Sequence, residues 1–302
     1  QGNTYLYGKP EKLTTIKSLG IKMTYDLEMD SEYENFVASG IIVHNSRNAS
    51  SSRAIPTTKM LEQIRSNPAM PIHWGKNQPG MQAREECSEL IRGCTREQQW
   101  ESVAKWSVHK ARLFSESGYH KQVVNRLLEP FQWISVVVTA TEWDNFFKLR
   151  LHKDAQPEMM VLAEHMKKAM DESIPTELHP GDWHLPYVRS DIQEDELWEG
   201  LNTDCPVFNY EKALKCSAAR CARISFLNHD NSTPNIDKDI ALADKLLEAG
   251  HMSPLEHQLT PMEAPKDDYN FEKGVTHIDR DGWKWSGNSR AWYQHRQLIG
   301  EI

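Results

Sequence analysis

The five cysteines of this chain (Cys87, Cys94, Cys205, Cys216 and Cys221) include no C-x-x-C pair and no other metal-like spacing. That excludes a zinc-ribbon or dithiol redox site, and an odd count leaves at least one thiol unpaired. Reduced core thiols of a cytosolic protein are the expectation. No apolar run approaches the roughly 18 residues that a membrane helix requires. The longest, Trp133–Ala140, is short and β-branched, and it reads as a buried strand or helix core. No charged start leads into an apolar stretch, so no signal peptide is expected, and Gln1 in first place reads as a processed or incomplete product. A basic excess is missing too: 35 Lys and Arg face 43 Asp and Glu, a net charge of −8. A general binder of nucleic-acid polymers needs a basic face to displace counterions, whereas a small anionic substrate needs only a few local arginines. There is no Gly-x-Gly-x-x-Gly, no phosphate-binding Walker loop, no internal repeat and no low-complexity tract.

What is present divides at Ser46. Before it, Thr24–Met29 alternates as a strand, Asn35–Ala38 runs to Ser39-Gly40, and Ile41–Val43 forms a further strand. Short strands with tight turns predict a compact β piece over residues 1–45. After it, helical periodicity sets in over Lys59–Ser66 and again over the charged stretch Gln82–His120. There Leu90, Ile91, Trp100, Val103, Trp106 and Leu113 form the predicted apolar stripe. A second helical block is predicted for Lys121–Met170, loops for Pro175–Pro186 and Pro261–Gly274, and an exposed helix start for Asp191–Glu199. Helices are also predicted for Tyr210–Ala222 and Asp237–Ala249, the latter stopped by Gly250.

The segment Asn35–Ser46 ends on His44-Asn45-Ser46. An asparagine amide attacks its own backbone carbonyl to form a succinimide, which cuts the chain after itself. That step needs a proton donor, for which His44 is placed, and a following nucleophile to accept an upstream chain, which Ser46 supplies. With the preceding Phe–Gly–β-branched strands, the segment resembles the C-terminal splicing block of inteins. Two departures stand out. Glu34 occupies the place where most inteins carry histidine, and the N-terminal intein blocks are not in this chain. The resemblance therefore implies a split or truncated intein half that needs an upstream partner fragment.

Ser46-Arg47-Asn48-Ala49-Ser50-Ser51-Ser52-Arg53 sets hydroxyls between arginines, a donor set suited to phosphate or a uracil edge. It resembles the second half of the signature R-H-R-x-x-S-x-N-E-x-S-x-R of flavin-dependent thymidylate synthases, with Ala49 in place of the glutamate. Further resemblances lie in Arg126–Pro130, in Asn145–Arg150 followed by Ala155–Glu158, and in Ala222-Arg223-Ile224-Ser225. The most specific is Gly250-His251-Met252-Ser253-Pro254-Leu255-Glu256-His257, which is similar to the family's G-H-x-S-P-F-E-H. Gly287–Arg296 resembles a family S-R-A…Q…R segment. The family's Asn-x-Arg reads Thr139-Ala140-Thr141 here, and the motif order is permuted. Pro254 breaks the spacing of His251 and His257, so no zinc site is expected.

The resemblance implies an α/β (α+β) fold with long helices over 46–302, lacking its first strands and R-H-R segment. It implies reductive methylation of dUMP to dTMP with FAD, NADPH and methylenetetrahydrofolate, in a homotetramer of the bacterial or phage-infected cytosol, with no cysteine nucleophile. Ser51, Ser52, Arg53, Arg126 and Arg150 would bind the nucleotide; Asn145, Ser225, His251, Ser253 and Glu256 would bind the flavin. Two alternatives stay open: a related flavoenzyme acting on another pyrimidine nucleotide, or a self-processing fragment without synthase activity.

Overall fold

The computed structural model describes residues 36–38, 41–43, 47–79, 83–188, 197–199, 207–225, 228, 232–262, 275–278, 282, 284–286 and 289–299. In chain order these form β1 (Phe36–Ala38), β2 (Ile41–Val43), β3 (Arg47–Ala49), α1 (Thr57–Ser66), α2 (Arg96–Glu116), α3 (Lys121–Val124) and β4 (Val136–Val138). There follow α4 (Asp144–Arg150), α5 (Pro157–Glu172), β5 (Trp198–Glu199), β6 (Val207–Phe208), α6 (Tyr210–Arg223) and α7 (Ile236–Glu248). The C-terminal part adds β7 (Leu259–Pro261), β8 (His277–Ile278), β9 (Lys284–Ser286), β10 (Trp292–Gln294) and α8 (His295–Leu298). The fold is mixed helix and strand, weighted strongly to helix. No helix among the described residues is long and apolar enough to cross a membrane.

Strands are short and scattered. β1 and β2 form an antiparallel hairpin, as the alternation around Ser39-Gly40 predicts, and β2 continues in parallel to β9, which pairs with β8. Elsewhere β3 pairs with β4, β5 with β6 and β7 with β10, all antiparallel. The predicted strand at Thr24–Met29 lies outside the described residues.

α1 packs on α2 around Met60, Leu61, Ile64, Ala104, Val108 and Ala111, joined by Val124, Leu128 and Phe131. Trp100 closes this core edge-on to Phe131 at 5.4 Å, and its indole N–H donates to Ala69 O at 2.8 Å. A capping box between Thr95 and Gln98 starts α2, satisfying two otherwise orphaned N–H groups. This corrects the predicted apolar stripe. The face of α2 that meets α1 is the small-residue row Ala104, Val108 and Ala111, because short side chains let the two backbones approach closely. Of the stripe, Val103, Trp106 and Leu113 point outward and are exposed. Leu90 and Ile91 precede the helix altogether and are exposed as well.

The predicted block Lys121–Met170 is broken into pieces. Two 3₁₀ turns interrupt it, Asn125–Leu127 and Glu129–Phe131, the second containing Pro130, and the β-branched run Val136–Val138 prefers extended backbone. That strand is real but not buried: Trp133, Ile134, Val136 and Val138 are exposed, because a two-stranded ribbon has only one face to cover. Asp191–Asp195 lies outside the described residues, and Trp198–Glu199 is a strand rather than a helix.

α6 and α7 match the helices read from the sequence. Asn209 and Asn235 cap them by accepting from Lys212 N and Lys238 N, each at 3.0 Å. Gly250, at φ +73°, ends α7 in the left-handed region that glycine adopts without a Cβ penalty. α6 is the central helix of this half, buried along Ala213–Cys221 except for the half-buried Lys215.

Candidate functional site

A 3₁₀ turn at Ser253–Glu256, directly after Gly250, carries the most specific motif into the interior. Pro254 sits early in it, where a missing N–H costs nothing. The turn packs against α6, α8 and β3. Glu256, His257 and Gln258 are each fully buried, an unusual run of polar side chains for a core.

Their partners come from distant parts of the chain. Arg296 Nη1 donates to Glu256 Oε1 at 2.5 Å, and Gln294 Nε2 donates to Glu256 O at 3.1 Å. His257 Nδ1 hydrogen-bonds Thr139 Oγ1 at 2.9 Å, just beyond the end of β4. Gln258 Nε2 donates to Ser217 Oγ at 3.0 Å, and Ser217 Oγ donates to Pro186 O at 2.8 Å. His184 and Leu259 exchange backbone hydrogen bonds at 2.7 and 3.2 Å, and the His295 ring meets Trp183 edge-on. Arg290 N donates to Thr141 Oγ1 at 2.6 Å, and the Arg290 side chain pairs with Glu142. His277 Nδ1 lies 3.1 Å from Ser289 O while Gln297 Nε2 donates towards His277 Nε2 at 2.6 Å. That pair of partners selects the neutral imidazole with its proton on Nδ1.

Several buried polar atoms here have no partner among the described residues: His257 Nε2, Thr260 Oγ1, Ser289 Oγ and His295 Nδ1. Buried polar atoms are nearly always bonded, so these atoms are open to a partner beyond the described residues. Burial holds the His257 imidazole down at about 4, with His184 nearby adding to the shift; burial alone does the same for His295, and lowers His184. His257 and His295 are therefore neutral at pH 7. Burial pushes the Cys221 thiol up to about 12, so it is no nucleophile.

The other predicted residues fall into distinct groups. His44, Asn45 and Ser46 lie outside the described residues, between β2 and β3. Ser225, half-buried, follows Ile224, whose φ of +55° is a strained conformation for a β-branched residue at the end of α6. His251 is exposed and Ser253 half-buried, so both rim the turn. Ser51 and Ser52 form a tight turn after β3, with Ala54 N and Ile55 N donating to Ser51 O, and Arg53 is exposed. Arg126, Asn145 and Arg150 are exposed, and none makes a side-chain hydrogen bond among the described residues. No group of His, Cys, Asp and Glu among the described residues has the arrangement of a metal site.

Two residues matter that were not among the expected ligands. Thr139, read in the sequence only as a departure from the resembling pattern, ties the end of β4 to His257. Asn125, beside Arg126, is fully buried and holds the serine turn: its Nδ2 donates to Ser52 O at 2.7 Å and Ile55 O at 3.0 Å, and Thr57 Oγ1 donates to its Oδ1 at 2.9 Å. Ser52 Oγ in turn donates to Glu129 Oε1 at 2.6 Å. The only signal for Asn125 in sequence was an amide within a stretch of apolar residues. Asn125→Ala strands two carbonyls and a hydroxyl, and is expected to cost about 2–4 kcal/mol in urea unfolding, at about 1–3 kcal/mol per stranded buried group with partial relaxation.

The chain matches no protein-family model, no curated protein and no solved structure.

Proposed function

We propose that residues 46–302, once joined at Ser46 to an upstream host fragment, act as a flavin-dependent thymidylate synthase-like enzyme, and that Asn45–Ser46 is the splicing junction. One observation carries this reading. Three of the resembling segments, far apart in sequence, meet at one buried polar centre: β3 pairs with β4, Thr139 just beyond β4 bonds His257, and Arg296 bonds Glu256, while Arg126, Asn145 and Arg150 stay exposed.

The residues present fit a bound flavin in part. Ser225, His251 and Ser253 keep exposure at the rim, and the partnerless His257 Nε2 and Thr260 Oγ1 offer hydrogen bonds within. Glu256 is shielded by Arg296 and buried, so its role here is to position the turn rather than to touch the cofactor. When bound, FAD would supply the hydride chemistry, drawing on NADPH, with methylenetetrahydrofolate as carbon donor. The chain's own share is to bind and orient dUMP through Ser51 and Arg53, with Arg126 and Arg150 as further cationic groups; Ser52, expected from the sequence as a ligand, is buried with its hydroxyl on Glu129 and holds the turn instead. For the junction, the β1–β2 hairpin leads the chain directly to His44 and Asn45. A related flavoenzyme for another pyrimidine nucleotide is favoured by Thr139 at the asparagine position and by exposed Ala49 at the glutamate position.

Co-expression with the upstream fragment is expected to give a ligated, yellow protein with flavin absorbance that releases tritium from C5 of labelled dUMP. A colourless ligated protein would overturn both flavoenzyme readings. Flavin without dUMP turnover, but with turnover of another pyrimidine nucleotide, would favour the second. Asn45→Ala should block release of the product beginning at Ser46. Equal masses for parent and variant would overturn the junction.

A further inference from the structure

We propose that the outward face of α2 is the interface between two copies of this chain, packed antiparallel about a two-fold axis midway between Trp106 and Lys110. The face carries Val103, Trp106, Lys110 and Leu113, with Phe114 beside it and Tyr119 stacked on Phe114 at 5.1 Å. Trp106 is 63% exposed, Tyr119 57%, Val103 52%, Leu113 42% and Phe114 40%, although α2 already buries its opposite face against α1. Summed, these side chains leave on the order of 500 Å² of apolar surface open, towards the upper end of the largest patch a single chain carries, and patches of that size are often functional. With its polar rim, such a patch approaches the roughly 800 Å² per partner that a stable pair needs.

The spacing points to a second copy rather than to an unrelated partner. Steps of three, four and three residues separate Val103, Trp106, Lys110 and Leu113, and this pattern reads the same in both directions. Two such helices run antiparallel would therefore set Val103 against the partner's Leu113 and Trp106 against the partner's Lys110. A two-fold contact has to be self-complementary in this way. Lys110 is half-buried and already lies over the Trp106 ring, its ammonium 5.0 Å from the centroid, so its stem adds apolar surface and its charge has an aromatic partner. The stripe holds no carboxylate. The ion pairs of α2 lie off this stripe: Arg112–Glu116 at 2.8 Å lines the groove with Glu62 and Arg65 of α1, and Lys105 pairs with Glu101 at 3.1 Å. In this register each Lys110 meets the partner's Trp106, so both ammonium groups have an aromatic face to lie on. None of the motif residues lies on this face, so the inference stands apart from the flavoenzyme reading.

Sedimentation of the full chain from about 1 to about 100 µM is expected to show an even-numbered assembly. Trp106→Glu should weaken it by about 30-fold or more, the size of an interface hot spot. Because Trp106 is exposed, the variant should keep the parent's circular dichroism and melting temperature. A mixture of Val103→Cys and Leu113→Cys chains should form a disulfide-linked pair on oxidation that neither variant forms alone, the parent serving as control. A monomer throughout the range, whether because another segment of the chain covers the stripe or because nothing does, would overturn the proposal. So would an assembly indifferent to Trp106→Glu, or cysteine pairs that form equally in each variant alone.

Discussion

Asp239→Ala is expected to be among the most destabilising single substitutions in this chain, with a loss of about 3–5 kcal/mol in urea unfolding. Asp239 is 1% exposed in the first turn of α7 and accepts from Arg220 Nε at 2.8 Å and Arg223 Nη1 at 2.6 Å, both on α6. Arg220 is itself fully buried and also donates to Tyr187 O at 3.0 Å. The carboxylate therefore bridges two guanidinium groups between the helices and balances one of their two positive charges. Removing it leaves buried positive charge that water cannot easily reach, and that penalty exceeds the value of the pair itself. The damage should travel. Tyr187 belongs to the same loop as His184, whose backbone pairs with Leu259 at the start of β7. Loosening Arg220 thus loosens the segment that frames Gln258 and His257. Typical total stabilities are about 5–15 kcal/mol, so Asp239→Ala approaches the limit of folding. Asp239→Asn, which keeps an acceptor but no charge, should fall between variant and parent. A loss below about 1 kcal/mol for the alanine variant would mean that the arginines find other partners and the clamp is not structural.

Parts of this fold were legible because they depend on neighbours in sequence. α6 and α7 announce themselves through an asparagine cap at one end and, for α7, Gly250 at the other. The β1–β2 hairpin is visible from Ser39-Gly40 between apolar triplets. The errors arose where tertiary packing chose between two local possibilities. In α2 the larger apolar side chains suggested an inward stripe, yet Ala104 and Ala111 let α1 come closer, and Val103, Trp106 and Leu113 were left outside. Trp133–Ala140 has the composition of a buried strand, but only β3 pairs with it. The candidate site shows the same division. The motif around Ser253–Glu256 was readable as a motif, whereas the Thr139–His257 bond joins residues 118 apart and has no local signature. Asn125 likewise acts on residues 68 to 73 positions away, which only folding brings within reach.

Stability should fall steeply as pH drops from 6.5 towards 4, before most carboxylates titrate. In the folded chain the imidazoles of His257 and His295 are held at about 4 by burial, and an unfolded imidazole titrates near 6.5. Between these values the unfolded chain binds protons that the folded one refuses, so stability rises with pH through this window and levels off above it. A shift from 6.5 to 4 corresponds to about 3 kcal/mol per imidazole once complete, and to about 2 kcal/mol at pH 5. His257 should carry the larger share, because it is fully buried with His184 beside it, while His295 is half-buried against Trp183. The adjoining carboxylate, Glu256, is already engaged by Arg296 and offers little relief to a protonated ring. Urea midpoints measured at pH 7.5, 6 and 5 are therefore expected to decline, and His257→Gln, which keeps a partner for Thr139 without a titrating ring, should flatten the decline. Midpoints that hold steady down to pH 5 would show that these imidazoles accept protons in place, with water entering the centre where His257 Nε2 and His295 Nδ1 now lack partners among the described residues.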